Sequence, residues 1–395
     1  MERSLMVEAN ASDHSPVLFE QRACADGHSI GIATLNAPKT LNGLSLEMTR
    51  LLDAQLRAWA DDAQIACVVL RGAGEKAFCA GGDLHGLYQS MRAHAEAVPE
   101  IARRAAQPQA NAHAAAFFEE EYRLDHRIHT LPKPVLCWGH GIVMGGGIGL
   151  MSGASHRVVT ERSRLAMPEI SVGLFPDVGG SWLLRRVPHG GGLFLALTGA
   201  PLNASDAIYA GLADVRLEHA QYDAVLDALS AHAWTGDAAH DRAQLGAFLQ
   251  GLAQPMEPGP LQLHAALIAT IVSAGTLQQV ADALLALQSE DAWLQAARAT
   301  FAAGAPGSAR LAWEPQRHPG TITLADAFRT EYMVALHAAA HGDFAEGIRA
   351  LLIDKDRQPA WQPPTLEQAD AAWAATFFTA PWPAGQHPLA DLGAR

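Results

Sequence analysis

The chain has 395 residues, which is more than one ordinary domain requires, since domains contain roughly 100–200 residues. Hydrophobic residues make up 49% and charged residues 17%, and this balance excludes a chain that is disordered through high charge and low hydrophobicity. The net charge of −13, from 28 Lys and Arg against 41 Asp and Glu, and the lack of a long basic run argue against nucleic acid as a partner.

The N-terminus and the cysteines bear on where the protein works. Residues 1–14 carry three acidic residues and no apolar stretch, so neither a secretory signal nor a basic transit peptide is predicted. The four cysteines show no Cys-x-x-Cys spacing and are expected to be reduced core residues. The glycine-rich stretch 141–153 is too short for a membrane span. We therefore expect a cytoplasmic protein with no membrane partner.

In chain order, the first predicted elements are two short strands, residues 17–22 and 30–35, in a hairpin-type opening. Ser45 then caps a helix whose apolar residues recur at helical spacing as far as Trp59. Residues 65–70 follow as an apolar run that is typical of a buried strand. This order of strand, strand, helix and strand indicates a mixed α/β fold.

After a polar, alanine-rich stretch, apolar residues between 117 and 128 fall on one helical face, and buried strands are predicted at 135–138 and 156–160. Strand signals disappear further along the chain, and helical patterns dominate. The sequence therefore predicts an α/β core over residues 15–220, which carries the active site, and a helical C-terminal region over residues 221–395.

Two glycine-bearing segments have unusual chemistry. Residues 78–83 read Phe-Cys-Ala-Gly-Gly-Asp, and such small residues let a ligand approach the backbone, although an ordinary tight turn has the same composition. Residues 139–149 contain three successive glycines and fit neither the dinucleotide fingerprint nor a P-loop. This second segment predicts either close helix packing or N–H donors for an oxyanion.

A third segment places Glu169 and Asp177 in an otherwise apolar stretch, with Gly173 and Pro176 able to turn the chain between them. Two carboxylates that face one pocket suit acid/base chemistry, and burial among apolar side chains raises the pKa of an acid. The alternative is a surface glutamate and a helix-capping aspartate. This segment by itself leaves both interpretations open.

Taken in order, the three segments resemble the crotonase, or enoyl-CoA hydratase/isomerase, superfamily. The resemblance implies a ββα spiral core and an acyl-CoA thioester as substrate. It also implies that the backbone N–H groups of Ala80 and Gly146 form an oxyanion hole for the thioester carbonyl. Coenzyme A is then part of the substrate, and no separate cofactor or metal ion is expected.

A closer resemblance, to the 3-hydroxyisobutyryl-CoA hydrolase subfamily, rests on motifs at residues 76–83, 117–122, 167–180 and 344–361. It implies cleavage of 3-hydroxyisobutyryl-CoA to the free acid and CoA, a step of valine breakdown. Hydratases of the superfamily carry a second glutamate just after the glycine run, where this chain has Gly149. The resemblance therefore favours hydrolysis over hydration.

The subfamily resemblance also implies roles for single residues. Glu169 and Asp177 are the expected catalytic carboxylates, and Glu169 either activates water or attacks the thioester to give a mixed anhydride. Glu121 is expected to hydrogen-bond the substrate hydroxyl, although its helical spacing also fits a structural role. Lys39 and Lys76 are candidates for contacts with the CoA phosphates.

Two other functions stay open from the sequence. One is an enoyl-CoA hydratase/isomerase that acts on a short-chain acyl-CoA, and the other is a non-catalytic acyl-CoA-binding protein that keeps the fold. Retention of both carboxylates argues against the binding protein. Assembly into a homo-oligomer is also open, because the helical C-terminal region could cover its own active site or that of a neighbour.

Overall fold

The computed structural model describes residues 15–317 and 320–394, so the acidic segment 1–14 considered above lies outside the described residues. The strands in the described part are β1 (Val17–Ala23), β2 (Ser29–Leu35), β3 (Ile65–Gly72), β4 (Ala77–Cys79), β5 (Val135–Gly139), β6 (Ile142–Met144), β7 (His156–Thr160), β8 (Arg164–Ala166) and β9 (Val215–Leu217).

The α-helices are α1 (Leu46–Asp61), α2 (Leu84–Ala97), α3 (Ile101–Ala106), α4 (Ala112–Thr130), α5 (Gly146–Ser152), α6 (Gly180–Leu183), α7 (Gly191–Thr198), α8 (Ala204–Tyr209), α9 (Tyr222–Ala231), α10 (Ala238–Gly251), α11 (Pro260–Leu263), α12 (Ala265–Val272), α13 (Leu277–Leu285), α14 (Ala292–Ala303), α15 (Pro306–Arg317), α16 (Leu324–His341), α17 (Asp343–Ile348) and α18 (Ala371–Ala375). A 3₁₀ helix spans Glu169–Val172, and a π-helix spans Arg349–Ile353.

The larger sheet has six strands in the order β1-β2-β3-β5-β7-β9. β1 and β2 form an antiparallel hairpin, and the later pairings are parallel. Parallel strands are buried on both faces, which explains why β3 and β5 are almost continuous apolar runs. The predicted α/β core with its hairpin opening is confirmed.

A smaller sheet of three parallel strands, in the order β4-β6-β8, positions the chemically unusual segments. Its strands have only three residues each, too few for a periodic pattern, and no pattern in the sequence predicts them. β4 ends before residues 80–83, β6 before residues 145–146 and β8 before residues 167–169. Because the carboxyl ends of parallel strands lie at one edge of a sheet, these segments meet there.

Helix α4 brings acidic side chains into the interior. Asn111 caps the helix and accepts a hydrogen bond of 3.2 Å from the N–H group of Ala114. The helix packs against α1, α5 and α16, so its inward face is enclosed. The buried residues of this face include Phe117, Phe118, Glu121, Tyr122, Leu124, Asp125 and Ile128.

The part of the chain that the structure describes after β9 consists of helices and their connections, as predicted for residues 221–395. One hydrophobic cluster contains Phe78 and Ile148 from the α/β core together with Phe328 and Phe344 from the C-terminal region. The two regions therefore share a core, and their division into two domains near residue 220 remains a prediction. Among the described helices, none is long and apolar enough to cross a bilayer.

Candidate active site

The two glycine-bearing loops approach each other closely. Gly81 has a φ of +111° and Gly145 a φ of +47°, both in the left-handed region that favours glycine. A Cβ atom on Gly81 would lie 3.3 Å from the carbonyl oxygen of Met144, and one on Gly146 would lie 3.4 Å from the amide nitrogen of Gly82. The loops after β4 and β6 are therefore close enough to bind one small group between them.

The N–H group of Ala80 is not available to a substrate. It donates a hydrogen bond of 3.0 Å to the carbonyl oxygen of Leu41, in the connection between β2 and α1. In the described part of the chain, the N–H groups of Gly82 and Gly146 donate to no protein acceptor. The prediction that Ala80 contributes to an oxyanion hole is therefore wrong, and Gly82 replaces it as the candidate donor beside Gly146.

Glu169 begins the 3₁₀ helix after β8, and only 5% of the residue is exposed. A Cβ atom on Gly145 would lie 3.1 Å from Oε1 of Glu169, so this carboxyl group packs against the glycine loop. Burial raises the pKa of Glu169 well above its ordinary value, and the nearby Asp177 raises it further. Its Oε2 atom has no partner among the described residues, which leaves it free for proton transfer or nucleophilic attack.

Asp177 is also buried and lines the same cavity as Glu169. The hydroxyl group of Tyr122 donates a hydrogen bond of 2.6 Å to Oδ2 of Asp177. Burial raises the pKa of Asp177 to about 6, although this hydrogen bond opposes the increase. Because both acids are enclosed, the alternative of a surface glutamate and a capping aspartate is excluded.

Glu121 adds a third carboxyl group, from helix α4. A Cβ atom on Gly146 would lie 2.4 Å from Oε1 of Glu121, so the carboxyl group of Glu121 packs directly against the glycine loop and would have to shift if position 146 carried a side chain. Burial raises the pKa of Glu121 well above its ordinary value, and the charges of Asp177 and Glu169 add to the effect. Its Oε1 atom has no partner within the described residues and is available to a substrate hydroxyl.

These groups line one cavity of about 270 Å³. The C-terminal region contributes part of the wall, so it covers the active site of its own chain. A mostly apolar wall with a few convergent polar groups is typical of a small-molecule site. The apolar side chains of the wall are those of Leu84, Leu87, Phe117, Phe118, Met144, Pro168, Val172, Leu174, Val178, Phe344, Leu351 and Leu352.

A comparison with known families decides where this fold and site belong. A family model described as enoyl-CoA hydratase/isomerase matches residues 30–378. The chain belongs to the enoyl-CoA hydratase/isomerase family. The resemblance that the sequence motifs indicated is therefore confirmed.

Proteins that are similar to this chain are named either as hydrolases or as hydratases and dehydratases. The chain is 36% identical over 360 residues to the mitochondrial 3-hydroxyisobutyryl-CoA hydrolase of Danio rerio, which covers 89% of this chain and 86% of the relative. A crystal structure of a carnitinyl-CoA dehydratase from Mycobacterium thermoresistibile has a TM-score of 0.79 at 32% identity, and covers 95% and 98% of the two chains. An enoyl-CoA hydratase from Rhodobacter sphaeroides 2.4.1 has a TM-score of 0.76 at 33% identity, and covers 92% and 97%.

Position 149, where hydratases of this family are expected to carry an acid, has no room for a side chain here. A Cβ atom on Gly149 would lie 2.5 Å from Oδ2 of Asp125 and 2.8 Å from Cβ of Val178. Asp125 fills this volume from helix α4, and neither of its carboxyl oxygens has a partner in the described part of the chain. Asp125 does not line the cavity. The acids that face the cavity are therefore Glu121, Glu169 and Asp177.

Lys39 and Lys76, the candidates for contacts with the CoA phosphates, are exposed and do not line the cavity. Their contacts with CoA therefore stay a prediction.

The site also contains groups that the sequence did not predict. These groups are Gly82 and Tyr122, which lie within the motifs of residues 78–83 and 117–122. The motifs therefore identified the correct segments but not these two residues.

Proposed function

We propose that this chain is an acyl-CoA thioester hydrolase that cleaves 3-hydroxyisobutyryl-CoA to 3-hydroxyisobutyrate and CoA. The observation that carries the proposal is the pair of buried carboxyl groups of Glu169 and Asp177 at one cavity, with glycine rather than an acid at position 149. The name of the Danio rerio relative, 36% identical over 89% of this chain, supports the same activity.

The N–H groups of Gly82 and Gly146 stabilise the thioester oxygen as it becomes negative. Backbone donors that are already oriented need no rearrangement during the reaction, and each contributes roughly 3 kcal/mol to lowering the barrier in comparable sites. The short distance between Gly82 and position 146 supports their acting on the same oxygen.

Glu169 supplies the attack on the carbonyl carbon. As a general base it takes a proton from the water whose oxygen bonds to that carbon; as a nucleophile it forms a mixed anhydride that water then cleaves. In both routes the carbon–sulfur bond breaks, and CoA leaves as a thiolate that takes a proton from Asp177. A single turnover in heavy-oxygen water separates the routes, because label in the enzyme carboxylate excludes direct attack by water.

Glu121 recognises the hydroxyl group of the acyl chain. Its unpartnered Oε1 atom faces the cavity, and a pocket that hydrogen-bonds a substrate hydroxyl strongly rejects the analogue that lacks it. We therefore expect isobutyryl-CoA to be a much poorer substrate than 3-hydroxyisobutyryl-CoA. Equal kcat/KM values for the two thioesters would contradict this role.

Hydration or isomerisation of a short-chain enoyl-CoA is the second candidate, because the similar structures with TM-scores of 0.76 and 0.79 carry hydratase and dehydratase names. Thiol release from 3-hydroxyisobutyryl-CoA and hydration of crotonyl-CoA, measured on one preparation, separate the two activities. We expect a higher kcat/KM for thiol release. A higher value for hydration would overturn the hydrolase, and binding without either turnover would indicate the non-catalytic protein.

The proposed substrate implies a role in valine breakdown. The cytoplasmic location expected from the sequence stays a prediction, and the Danio rerio relative is named as a mitochondrial protein. Assembly into a homo-oligomer, contacts of Lys39 and Lys76 with CoA, and the expectation of no cofactor are likewise predictions.

A further inference from the structure

Glu331 is a buried acid on helix α16 that holds a loop of the α/β core. Only 1% of the residue is exposed. Its Oε2 atom accepts a hydrogen bond of 2.7 Å from the N–H group of Gly179, and its Oε1 atom accepts bonds of 2.9 Å and 2.5 Å from the N–H and hydroxyl groups of Ser181. One carboxyl group thus binds three donors of the segment that directly follows Asp177.

This segment has a backbone conformation that requires support. Val178 has a φ of +50° and Gly179 a φ of +83°, so two left-handed residues follow Asp177 in succession. A left-handed conformation is unfavourable for a β-branched residue such as valine and persists only where surrounding contacts hold it. The hydrogen bonds to Glu331 begin at Gly179, directly after Val178, and provide such contacts.

The same helix also reaches the side chain of Asp177. Tyr122, which donates the hydrogen bond to Asp177, packs its ring against Phe328 and Tyr332, with centroid distances of 5.6 Å and 6.5 Å. Residues 328, 331 and 332 lie on one face of α16 because they are three and four positions apart. This face therefore supports both the backbone that follows Asp177 and the partner of its carboxyl group.

We propose that Glu331 is a positioning residue that fixes the carboxyl group of Asp177 in the cavity. The inference rests on the proposed function, in which Asp177 takes part in thioester hydrolysis. Glu331 does not line the cavity, so it acts through the loop rather than on the substrate. The helical C-terminal region thereby becomes part of the catalytic apparatus as well as a cover for the site.

Glu331→Gln tests the proposal, because glutamine keeps the volume but turns an amide N–H group toward one of the loop donors. We expect kcat for thiol release from 3-hydroxyisobutyryl-CoA to fall at least about tenfold, while KM stays within about twofold, since substrate binding does not use the loop donors. The matched control is Asp241→Asn. Asp241 is a buried acid that likewise accepts two backbone N–H groups and a hydroxyl, from Thr235 and Gly236, in a different part of the chain.

The same substitution in an Asp177→Asn background shows whether the effect passes through Asp177. If it does, Glu331→Gln lowers kcat there by less than about twofold, because the two changes are not additive. A full additional decrease in that background, wild-type kcat in Glu331→Gln, or an equal loss in Asp241→Asn would each overturn the positioning role. If Glu331→Gln does not fold, Ser181→Ala takes its place, with an expected decrease in kcat of about threefold, and wild-type kcat would overturn the role.

The proposed function is tested separately within this set of proteins. A wild type without thiol release removes the hydrolase proposal whatever Glu331→Gln does. A wild type that cleaves the thioester and an Asp177→Asn variant that is impaired support the hydrolase, and the positioning role then depends on the Glu331→Gln results alone.

Discussion

The hydroxyl group of Tyr122 donates a hydrogen bond of 2.6 Å to Oδ2 of Asp177. Both residues are enclosed, so little water competes for this bond. The bond opposes the effect of burial on the pKa of Asp177 and restricts the orientation of its carboxyl group. The chemistry of Asp177 therefore depends on a side chain that does not itself line the cavity.

Tyr122→Phe removes this hydrogen bond and keeps the aromatic packing. A hydrogen bond to a charged group contributes roughly 1.5–3 kcal/mol, so we expect kcat to fall roughly ten- to hundredfold. Because the bond lowers the pKa of Asp177, its loss raises that pKa and moves the pH profile of kcat to higher pH. Steady-state kinetics over a pH series check both effects, with Tyr209→Phe on α8 as an unaffected control. An unchanged kcat and pH profile in Tyr122→Phe would contradict the role.

The activity of the wild type is expected to increase as pH rises from the acidic range and to decrease again once Asp177 has lost the proton that it gives to the leaving thiolate. Glu169 must lose its proton before it can attack, and burial raises its pKa well above the ordinary value of 4.5. The carboxyl group therefore stays protonated at pH values where an exposed glutamate is ionised. The measurement is kcat/KM for thiol release as a function of pH. A profile that is already flat from pH 4.5 upward would show that Glu169 is not the titrating base.

Gly146→Ala is expected to damage the proposed oxyanion site. The added methyl group would lie 2.4 Å from Oε1 of Glu121, so this carboxyl group must shift, and the methyl group would lie beside the amide nitrogen of Gly82 at 3.4 Å. Alanine keeps the N–H group, but its methyl group hinders the approach of the thioester oxygen, so we expect kcat to fall by no more than the roughly 10²- to 10³-fold that complete loss of one oriented donor causes in comparable sites. Gly251→Ala is the control, because a Cβ atom there meets no neighbour within 4 Å. Equal kcat values for the two variants would remove Gly146 from the mechanism.

Asp125→Asn is expected to stabilise the protein at neutral pH. Burial raises the pKa of Asp125 well above the ordinary value of 3.8, and Glu121 adds to the effect. The folded state binds this proton more tightly than the unfolded chain, so the free energy of unfolding decreases as pH increases above about 4. Asparagine removes the titration at nearly constant volume. The Tm should therefore rise most at neutral pH and least near pH 4, whereas a Tm below that of the wild type at neutral pH would contradict this account.

A control for that measurement is Asp61→Asn, at the exposed end of α1. Its Tm should follow that of the wild type across the same pH series. A parallel increase in both variants would show that net charge, rather than the burial of Asp125, changes the stability.

Much of the larger sheet could be predicted because its strands are long enough to show a pattern. β3 and β5 are apolar runs, and α1 shows both its cap at Ser45 and an apolar stripe. The smaller sheet could not be predicted in this way, because strands of three residues show no periodicity. The meeting of the three active-site segments was therefore expected from the family resemblance rather than from secondary structure.

The assignment of Ala80 shows a different limit. The motif of residues 78–83 correctly marks a loop at the site, but the free N–H group belongs to Gly82 because the carbonyl oxygen of Leu41 binds that of Ala80. Leu41 lies far from this loop in the sequence. Composition indicates that a backbone is accessible, whereas only the fold decides which of its donors are already occupied.

The contacts that the C-terminal region makes with the active site could not be predicted from local sequence patterns either. Leu351 and Leu352 line the cavity from a π-helix, and Glu331 reaches the loop after Asp177 from α16. A glutamate on a helix is usually exposed to solvent, so the sequence gives no reason to expect that Glu331 is buried. Its burial and its three donors become visible only when α16 packs on the core.

Thiol release from 3-hydroxyisobutyryl-CoA by the wild type and by Glu169→Gln tests the central claim most directly. Glutamine keeps the volume of the side chain but neither takes a proton nor attacks a thioester. We predict turnover by the wild type, a decrease of at least about a hundredfold in Glu169→Gln, and no change in Glu47→Gln, an exposed position on α1. Cleavage by Glu169→Gln at the rate of the wild type would contradict the account.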